Sequence, residues 1–436
     1  MLVAWNERTP ALLAPGVAIL ASPTMGRPKM PFFDSTIALR RDPYRFIRRT
    51  CTELGSDCFE TRLLLEPTLC LTGAKAARFF YDRELFTRVG AAPTFVKSTL
   101  FGHGGVQGLD GEAHAHRKSL FLKLVGEGRT DALTARAVAG IGALAGRDGR
   151  ITLQDCLEDI LTEAVCDWAG MPLAKDELPD RSRMISHLFE HAASVDIRQL
   201  LARFSRHRAD RWAESEILAT RDGRLSPPAE SALAVVAGWH DPKGTLLASR
   251  VAAVELINIL RPFVAISAYL TFAAHALATE QGEAERLRAN PDRLAPFVQE
   301  VRRTYPFFPL VAARARHRTA WRGHDIPEGR LVALDIWGTN RDPAAWDDPD
   351  RFRPERFEGW KGDPFTLIPQ GGGDHETGHR CPGEWVTQDV MAAGTRALLD
   401  LADWSVLPAQ DLSIDMRKLP ALPRDRILLD LPKNAG

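Results

Sequence analysis

Cys381 closes the segment Pro364-Phe-Thr-Leu-Ile-Pro-Gln-Gly-Gly-Gly-Asp-His-Glu-Thr-Gly-His-Arg-Cys-Pro-Gly383, a glycine-rich loop that runs into an apolar helical pattern from Trp385. His379 and Arg380 precede the cysteine. A thiolate stays ionised where positive charge and amide donors surround it, and a loop of this composition offers both. One thiolate so placed, with no second cysteine close by, is how sulfur holds a haem iron axially. The alternative reading of the residues is a buried structural cysteine in a turn.

A second chemical group stands at Arg261. From Leu246 to Thr279 the chain is apolar on most faces, the pattern of a core helix. Arg261 shares a face there with Ile257, Asn258, Val264, Ala265 and Ala268, and no acid lies on that face. A guanidinium in such a place is costly unless an anion meets it. Pro262 removes the hydrogen bond to the Asn258 carbonyl and predicts a kink. A kink beside an unpaired cation points to a cavity that receives a carboxylate. An arginine that reaches solvent, or pairs with a distant acid, is the other reading.

Further basic residues follow the stretch Leu100-Phe-Gly-His-Gly-Gly-Val-Gln-Gly-Leu-Asp110. Its glycines predict a loop, and a helix begins near Glu112 with His114 and Lys118 four apart on one face. That pair could grip an anion, or simply form an exposed basic face. Glu300 and Arg303 sit three apart on another helical pattern, able to pair with each other and with an arginine of Phe352-Arg-Pro-Glu-Arg-Phe357.

The elements that must position these groups are mostly helical. Helical patterns fill roughly 152–170, 190–220 and 246–280, and a helix starting near Asp292 tolerates Pro296 in its first turn. Extended patterns cluster at Asp57 to Thr72 and Arg316 to Leu334. No repeat or long linker divides the 436 residues, so one mainly α unit with a small sheet to one side is expected. Lys plus Arg and Asp plus Glu both number 56, so no global field recruits nucleic acid or acidic surfaces. The cysteines Cys51, Cys58, Cys70, Cys156, Cys166 and Cys381 form no C-x-x-C pair, which argues against zinc and iron–sulfur sites and for a reducing cytoplasm. The apolar run Ala11 to Ala21 is broken by Pro15 and preceded only by Arg8, so residues 1–30 read as an irregular extension rather than a signal peptide. No membrane span is expected, because Val251 to Leu277 carries Glu255, Asn258, Arg261, Pro262 and His275.

In their order along the chain, Glu300-x-x-Arg303, Phe352–Phe357 and Cys381-Pro-Gly383 resemble the cytochrome P450 superfamily. Gly105-Val-Gln-Gly-Leu-Asp-Gly111, Asn258-Ile-Leu-Arg-Pro262 and Ile368-Pro-Gln-Gly-Gly-Gly-Asp374 resemble its bacterial fatty-acid peroxygenase branch, the long-chain fatty-acid α- and β-hydroxylases. The resemblance runs from about Asp42 to Leu422. It implies a single-domain cytochrome P450 fold, mainly α with a small β-sheet region at one side, and a haem-thiolate peroxygenase domain over 31–436. It implies haem b with Cys381 as the iron ligand, and Arg88, His114, Lys118 and His379 against the haem propionates. Arg261 matches the arginine that binds the fatty-acid carboxylate, with Pro262 beside it. Gln107 stands where hydroxylating members carry glutamine and decarboxylating members tend to carry histidine. Phe101, Phe307, Phe308 and Leu310 are the implied substrate-channel residues.

Two departures from ordinary members bear on mechanism. The usual Phe-x-x-Gly spacing before the cysteine is replaced by the longer stretch Gln370–Gly378. The acid–alcohol pair that delivers protons to iron-bound dioxygen is absent where Arg261-Pro262 stand. The implied oxidant is therefore hydrogen peroxide, with a long-chain fatty acid as substrate and no obligatory redox partner. Three alternatives remain at this point: a fatty-acid decarboxylase forming terminal alkenes, a monooxygenase fed by redox partners, and a non-catalytic haem or fatty-acid binding protein.

Overall fold

A computed structural model describes residues 33–194, 196–403 and 409–431, and the expected extension at 1–30 lies outside them. Eight helices position the groups singled out above: α1 (Gly111–Leu124), α2 (Leu153–Ala169), α3 (Leu178–Glu190), α4 (Ile197–Arg221), α5 (Ser249–Val264), α6 (Ile266–Thr279), α7 (Leu294–Thr304) and α8 (Glu384–Leu401). The helix expected over roughly 190–220 is one helix that begins later, at Ile197, and runs to Arg221. Asp196 accepts a hydrogen bond from the Arg198 backbone N–H at 3.0 Å and starts a new helix, which leaves α3 to end at Glu190.

The segment 246–280 is two helices. Pro262 lies inside α5, but the break falls at Ala265, where a tightened turn joins Ala268 N–H to the Ala265 carbonyl at 3.2 Å. The ladder has already resumed by then, with Ala265 N–H donating to the Arg261 carbonyl at 2.9 Å. Among the described residues Ser249–Thr279 is the one stretch long and apolar enough to cross a membrane, and 89% of its most apolar window is buried. It is the core of this molecule, packed against α2, α4, α7 and α8.

A five-stranded sheet stands to one side. Strands β1 (Cys58–Leu63) and β2 (Glu66–Leu71) form an antiparallel hairpin, β3 is Phe86–Thr87, β4 is Leu310–Ala315 and β5 is Leu331–Asp335, in the spatial order β1-β2-β5-β4-β3. The β2–β5 pair is parallel, with Thr68 opposite Leu331. Strand β4 opens six residues before the extended pattern expected from Arg316, because its pairing with β5 begins at Leu310, opposite Asp335.

One buried ion cluster ties the helices to the chain leading into the cysteine loop. Glu300 and Arg303 on α7 are fully buried and bidentate, at 2.7 and 2.8 Å. Arg356 reaches the same carboxylate at 3.3 Å, and the Arg353 backbone N–H donates to it at 2.6 Å. The remaining Arg303 donors meet the carbonyls of Asn340, Pro349 and Arg351. The pair read from sequence is thus an interior cluster with its hydrogen bonds filled, the condition under which buried charge is tolerated.

Candidate functional site

Hydrogen bonds within the protein brace the cysteine loop. Asn340 Oδ1 accepts from Ile368 N–H at 2.7 Å, Gly373 N–H donates to the Pro364 carbonyl at 2.9 Å, and Cys381 N–H donates to the Gln370 carbonyl at 3.1 Å. Gly371 and Gly373 have φ of +93° and +79°, which other residues rarely adopt. Lys118 of α1 donates from Nζ to the carbonyls of Gly378 and Arg380, at 2.5 and 2.8 Å. Close to the sulfur, Gln370 Nε2 lies 3.9 Å from Cys381 Sγ and donates to Thr387 Oγ1 at 3.0 Å. Arg302 donates to the side-chain Oε1 of Gln370 at 3.0 and 3.2 Å and pairs with Glu384 at 2.5 Å.

The charges that favour the thiolate are not those expected from the flanking residues. Arg380 is neutralised by Glu384 at 2.6 Å. Burial, with help from Arg88, His114 and Lys118, pushes His379 down to about 2, so that ring is neutral. Burial raises the Cys381 thiol and Glu384 raises it further, while the Gly383 amide, Lys118 and Arg302 oppose them. A cation bonded to sulfur would complete what these partial contributions leave unmet. The other five cysteines are buried, and burial pushes each thiol up.

Arg261 is 7% exposed, its Nε is buried without a partner, and among the described residues no ion pair reaches its guanidinium. Burial pushes it down to about 9; nearby Arg206 adds to this, and Cys381 acts against it. One turn earlier, Asn258 Nδ2 meets the Phe101 carbonyl at 2.9 Å, Gln107 Oε1 at 3.2 Å and Glu255 Oε2 at 3.3 Å. Asn258 Oδ1 is buried and unpaired. Glu255, also buried, is matched by Arg117 of α1 at 2.6 Å, so its charge is not offered to Arg261. Gly105 is what allows the loop carrying Gln107 to lie on α5, since a Cβ there would stand 2.7 Å from Asn258 Nδ2. The glycines of 102–105 carried this signal in the sequence.

Arg88, His114 and His379 are brought together. The two imidazole rings are 3.9 Å apart. Burial first, then Lys118, lowers His114 to about 4. Arg88 is half-buried with its guanidinium 4.4 Å from the Phe80 ring centre, and it donates to the Ala312 carbonyl at 2.7 Å. Arg88 and His379 share one small cavity with Phe80, Tyr81, Gly372 and Gly373. Lys118 adjoins this group but has two of its three protons on the loop carbonyls, and burial lowers it to about 8.

The apolar candidates separate. Phe101 ends a short π-helical turn (Lys97–Phe101) and packs on the main core. Phe307 stacks on Tyr269 of α6 at 4.3 Å and 14°, with its carbonyl accepting from Tyr44 Oη at 3.1 Å. Phe308 is 37% exposed beside it. Leu310 packs with Phe46, Ile47 and Phe59 beside the sheet, in a different cluster from the one that holds Phe101 and Phe307. Pro262 contributes no polar contact of its own.

A family model described as Cytochrome P450 matches residues 290–429. Cytochrome P450 71A8 of Mentha piperita is 33% identical over 140 residues, 31% of this chain and 27% of that protein, so the match takes in about a quarter of the curated relative's length. Solved structures match over nearly the whole chain. Cytochrome P450SP alpha (CYP152B1), in complex with (R)-ibuprophen, is 47% identical, covering 92% of this chain and 100% of that one at a TM-score of 0.89. Cytochrome P450EX alpha (CYP152N1) with myristic acid is 40% identical over 93% and 98% of the two chains, at 0.90. A variant of cytochrome P450 OleT in complex with arachidonic acid is 31% identical over 93% and 98%, at 0.89.

The chain belongs to the cytochrome P450 family.

The helix-rich molecule with its small lateral sheet is the P450 fold, and the cofactor of this P450 is haem b on a cysteine thiolate. The donor set suits that group. One sulfur lies on a braced loop, with Gln370 beside it and Lys118 bonded to the loop carbonyls. To one side, Arg88, His114 and His379 are crowded so that each is pushed toward its uncharged form, and two propionates would supply the anions they lack. Gln370, Arg302 and Glu384 were missed as neighbours of the sulfur. For Gln370 the signal was its place at the head of the glycine run that leads to Cys381.

Proposed function

We propose that this P450 is a peroxygenase that hydroxylates long-chain fatty acids at the α or β carbon with hydrogen peroxide, the substrate's own carboxylate serving as acid and base. The observation that carries the reading is Arg261: a buried guanidinium with an orphaned Nε and no acidic partner. Solved relatives that hold myristic and arachidonic acid support the substrate class. Cys381 would ligate the iron, and Arg88, His114 and His379 would hold the propionates while Lys118 steadies the loop. Bound there, haem b supplies the iron centre for peroxide cleavage and oxygen insertion, with sulfur donation favouring heterolysis.

The protein's own part is positioning. Arg261 takes the carboxylate by charge-assisted, fork-like hydrogen bonds that a lysine would not reproduce. Gln107 has its carbonyl oxygen tied to Asn258, which leaves its NH2 as a donor. The carboxylate oxygen accepts a proton from peroxide and returns it to the departing oxygen, so that acid plus peroxide gives hydroxy acid plus water. With the carboxylate fixed, the carbons next to it are the ones presented, and regioselectivity follows from position. Phe101 and Phe307 would flank the acyl chain. No redox partner is needed in this scheme, and the buried free thiols at Cys51, Cys58 and Cys70 fit a cytoplasmic setting.

The test is Arg261→Ala, given peroxide and a saturated long-chain acid. Turnover should disappear while the carbon monoxide difference spectrum keeps its thiolate position. Full peroxide activity in that variant would sink the proposal, and a terminal alkene as main product of the unaltered enzyme would move the reading to a decarboxylase.

A further inference from the structure

Helix α4 turns an unusual face outward. Ile197, Leu200, Leu201 and Phe204 are 67%, 59%, 44% and 62% exposed. Their spacing of i, i+3, i+4 and i+7 makes them one stripe, and the opposite side, Ala202, Ser205, Arg206 and Ala209, is buried. Soluble surfaces seldom gather that much apolar area without a use for it. The same stripe continues into Arg208 and Arg211, with Arg203 and His207 exposed beside it. Arg208 stands with its guanidinium carbon 5.9 Å from the Phe204 ring centre.

The charge around the stripe has one sign. Residues 197–208 read Ile-Arg-Gln-Leu-Leu-Ala-Arg-Phe-Ser-Arg-His-Arg and contain no acid. The acids at either end are taken: Asp196 pairs with Arg198 at 2.6 Å and Asp210 with Arg206 at 2.8 Å. In the cleft alongside Arg208 and Arg211, Glu177 pairs with Arg181 at 2.8 Å, and Glu216 lies farther along α4. Among the described residues Arg203, Arg208 and Arg211 form no ion pair.

We infer that the outer face of the first half of α4 docks on an anionic lipid bilayer, with the four apolar side chains in the interface and Arg203 and Arg208 at the headgroups. An amphipathic helix with arginines edging its apolar stripe binds in this way, long cationic side chains reaching the polar layer from an apolar footing. A second copy of the chain fits less well. A two-fold contact centred on the stripe would bring Arg203, His207 and Arg208 toward their own copies, like charge against like. The inner side of the same helix is tied to the segment that carries Phe101: Gln199 Nε2 donates to the Phe95 carbonyl at 3.1 Å and Arg206 Nη1 to the Leu100 carbonyl at 3.3 Å. Docking would therefore place a lipid reservoir on the far side of the helix that braces the site. The inference rests on exposure and charge, and stands apart from the peroxygenase reading.

The experiment is flotation of the haem-loaded full chain with vesicles of phosphatidylglycerol and phosphatidylcholine, against phosphatidylcholine alone, at low and high salt. Binding should require the anionic lipid and weaken with salt. Arg203→Gln with Arg208→Gln should lower partitioning roughly thirtyfold at low salt, near one tenfold step and a half for two basic residues. Leu200→Asp with Phe204→Asp should lower it further. The carbon monoxide spectrum of each variant reports folding, and the glutamine pair decides the matter if the aspartate pair loses haem. Failure of the unaltered protein to bind anionic vesicles, or undiminished binding by the glutamine pair, would overturn the proposal. So would a dimer in solution that the aspartate pair dissolves, which would assign the face to self-association.

Discussion

Arg303 and Arg261 are both buried arginines on core helices, and they differ in every partner they have. Arg303 is bidentate to Glu300, and its other donors meet three backbone carbonyls. Arg261 has a buried Nε with nothing to donate to. Two further arginines, Arg302 and Arg380, share the Glu384 carboxylate and belong with Arg303. A charge kept for structure is closed within the fold, whereas a charge kept for a ligand is left open at the fold's expense. Burial alone does not separate these roles; the inventory of partners does.

That contrast can be broken in graded ways. The largest effect belongs to Arg261→Ala, expected to reduce peroxide-driven hydroxy-acid formation by a factor of about a thousand or more, since the carboxylate loses both its position and its role in proton transfer. Product quantification beside the haem spectrum measures it. Next is Arg303→Met, which strands Glu300 in the interior and should cost about 3–5 kcal/mol in urea unfolding. The counterpart, Arg261→Met, should leave stability unchanged or raise it by about 1–2 kcal/mol, because it removes a buried cation with no partner. Equal destabilisation by the two methionine variants would erase the distinction drawn here.

The smallest effect concerns the basic cluster and depends on pH. Below pH 6.5 the unfolded chain takes up a proton that His114 in the folded apoprotein refuses until about pH 4, and His379 refuses longer still, to about 2. Stability of the haem-free protein should therefore be full above pH 6.5 and fall as pH drops toward 4, by up to about 3 kcal/mol from His114. Haem propionates would favour the charged rings, so the loaded protein should lose less over the same window. Unfolding of apo and loaded protein at pH 7 and pH 5 compares them, and His114→Gln should flatten the apo profile.

The sequence reading was strongest where a residue type contradicts its surroundings. A cysteine ending a glycine loop and an arginine in an apolar helix are visible as anomalies without coordinates, and the fold class followed from long helical patterns beside short extended ones. It was weakest where identity depends on which competitor is nearer. His379 and Arg380 were the obvious cations for the thiolate, yet Glu384 takes one and burial discharges the other. Lys118 was assigned to an anion, while its ammonium lies against two loop carbonyls. Helix ends shifted for a related reason. Asp196 could equally have been an interior residue of a long helix, and only its side-chain bond to Arg198 makes it a start.

Phe307 carries a consequence for how such an enzyme can change. Tyr44 holds its carbonyl and Tyr269 holds its ring, so two separate attachments fix the backbone and the side chain. Replacing the ring with a smaller side chain leaves the carbonyl attachment in place. On the proposed reading, in which Phe307 flanks the acyl chain, the volume at this position can be altered through one codon while the chain trace stays where it is. Substrate length would then be a trait open to gradual selection, apart from the part that the proposal gives the carboxylate.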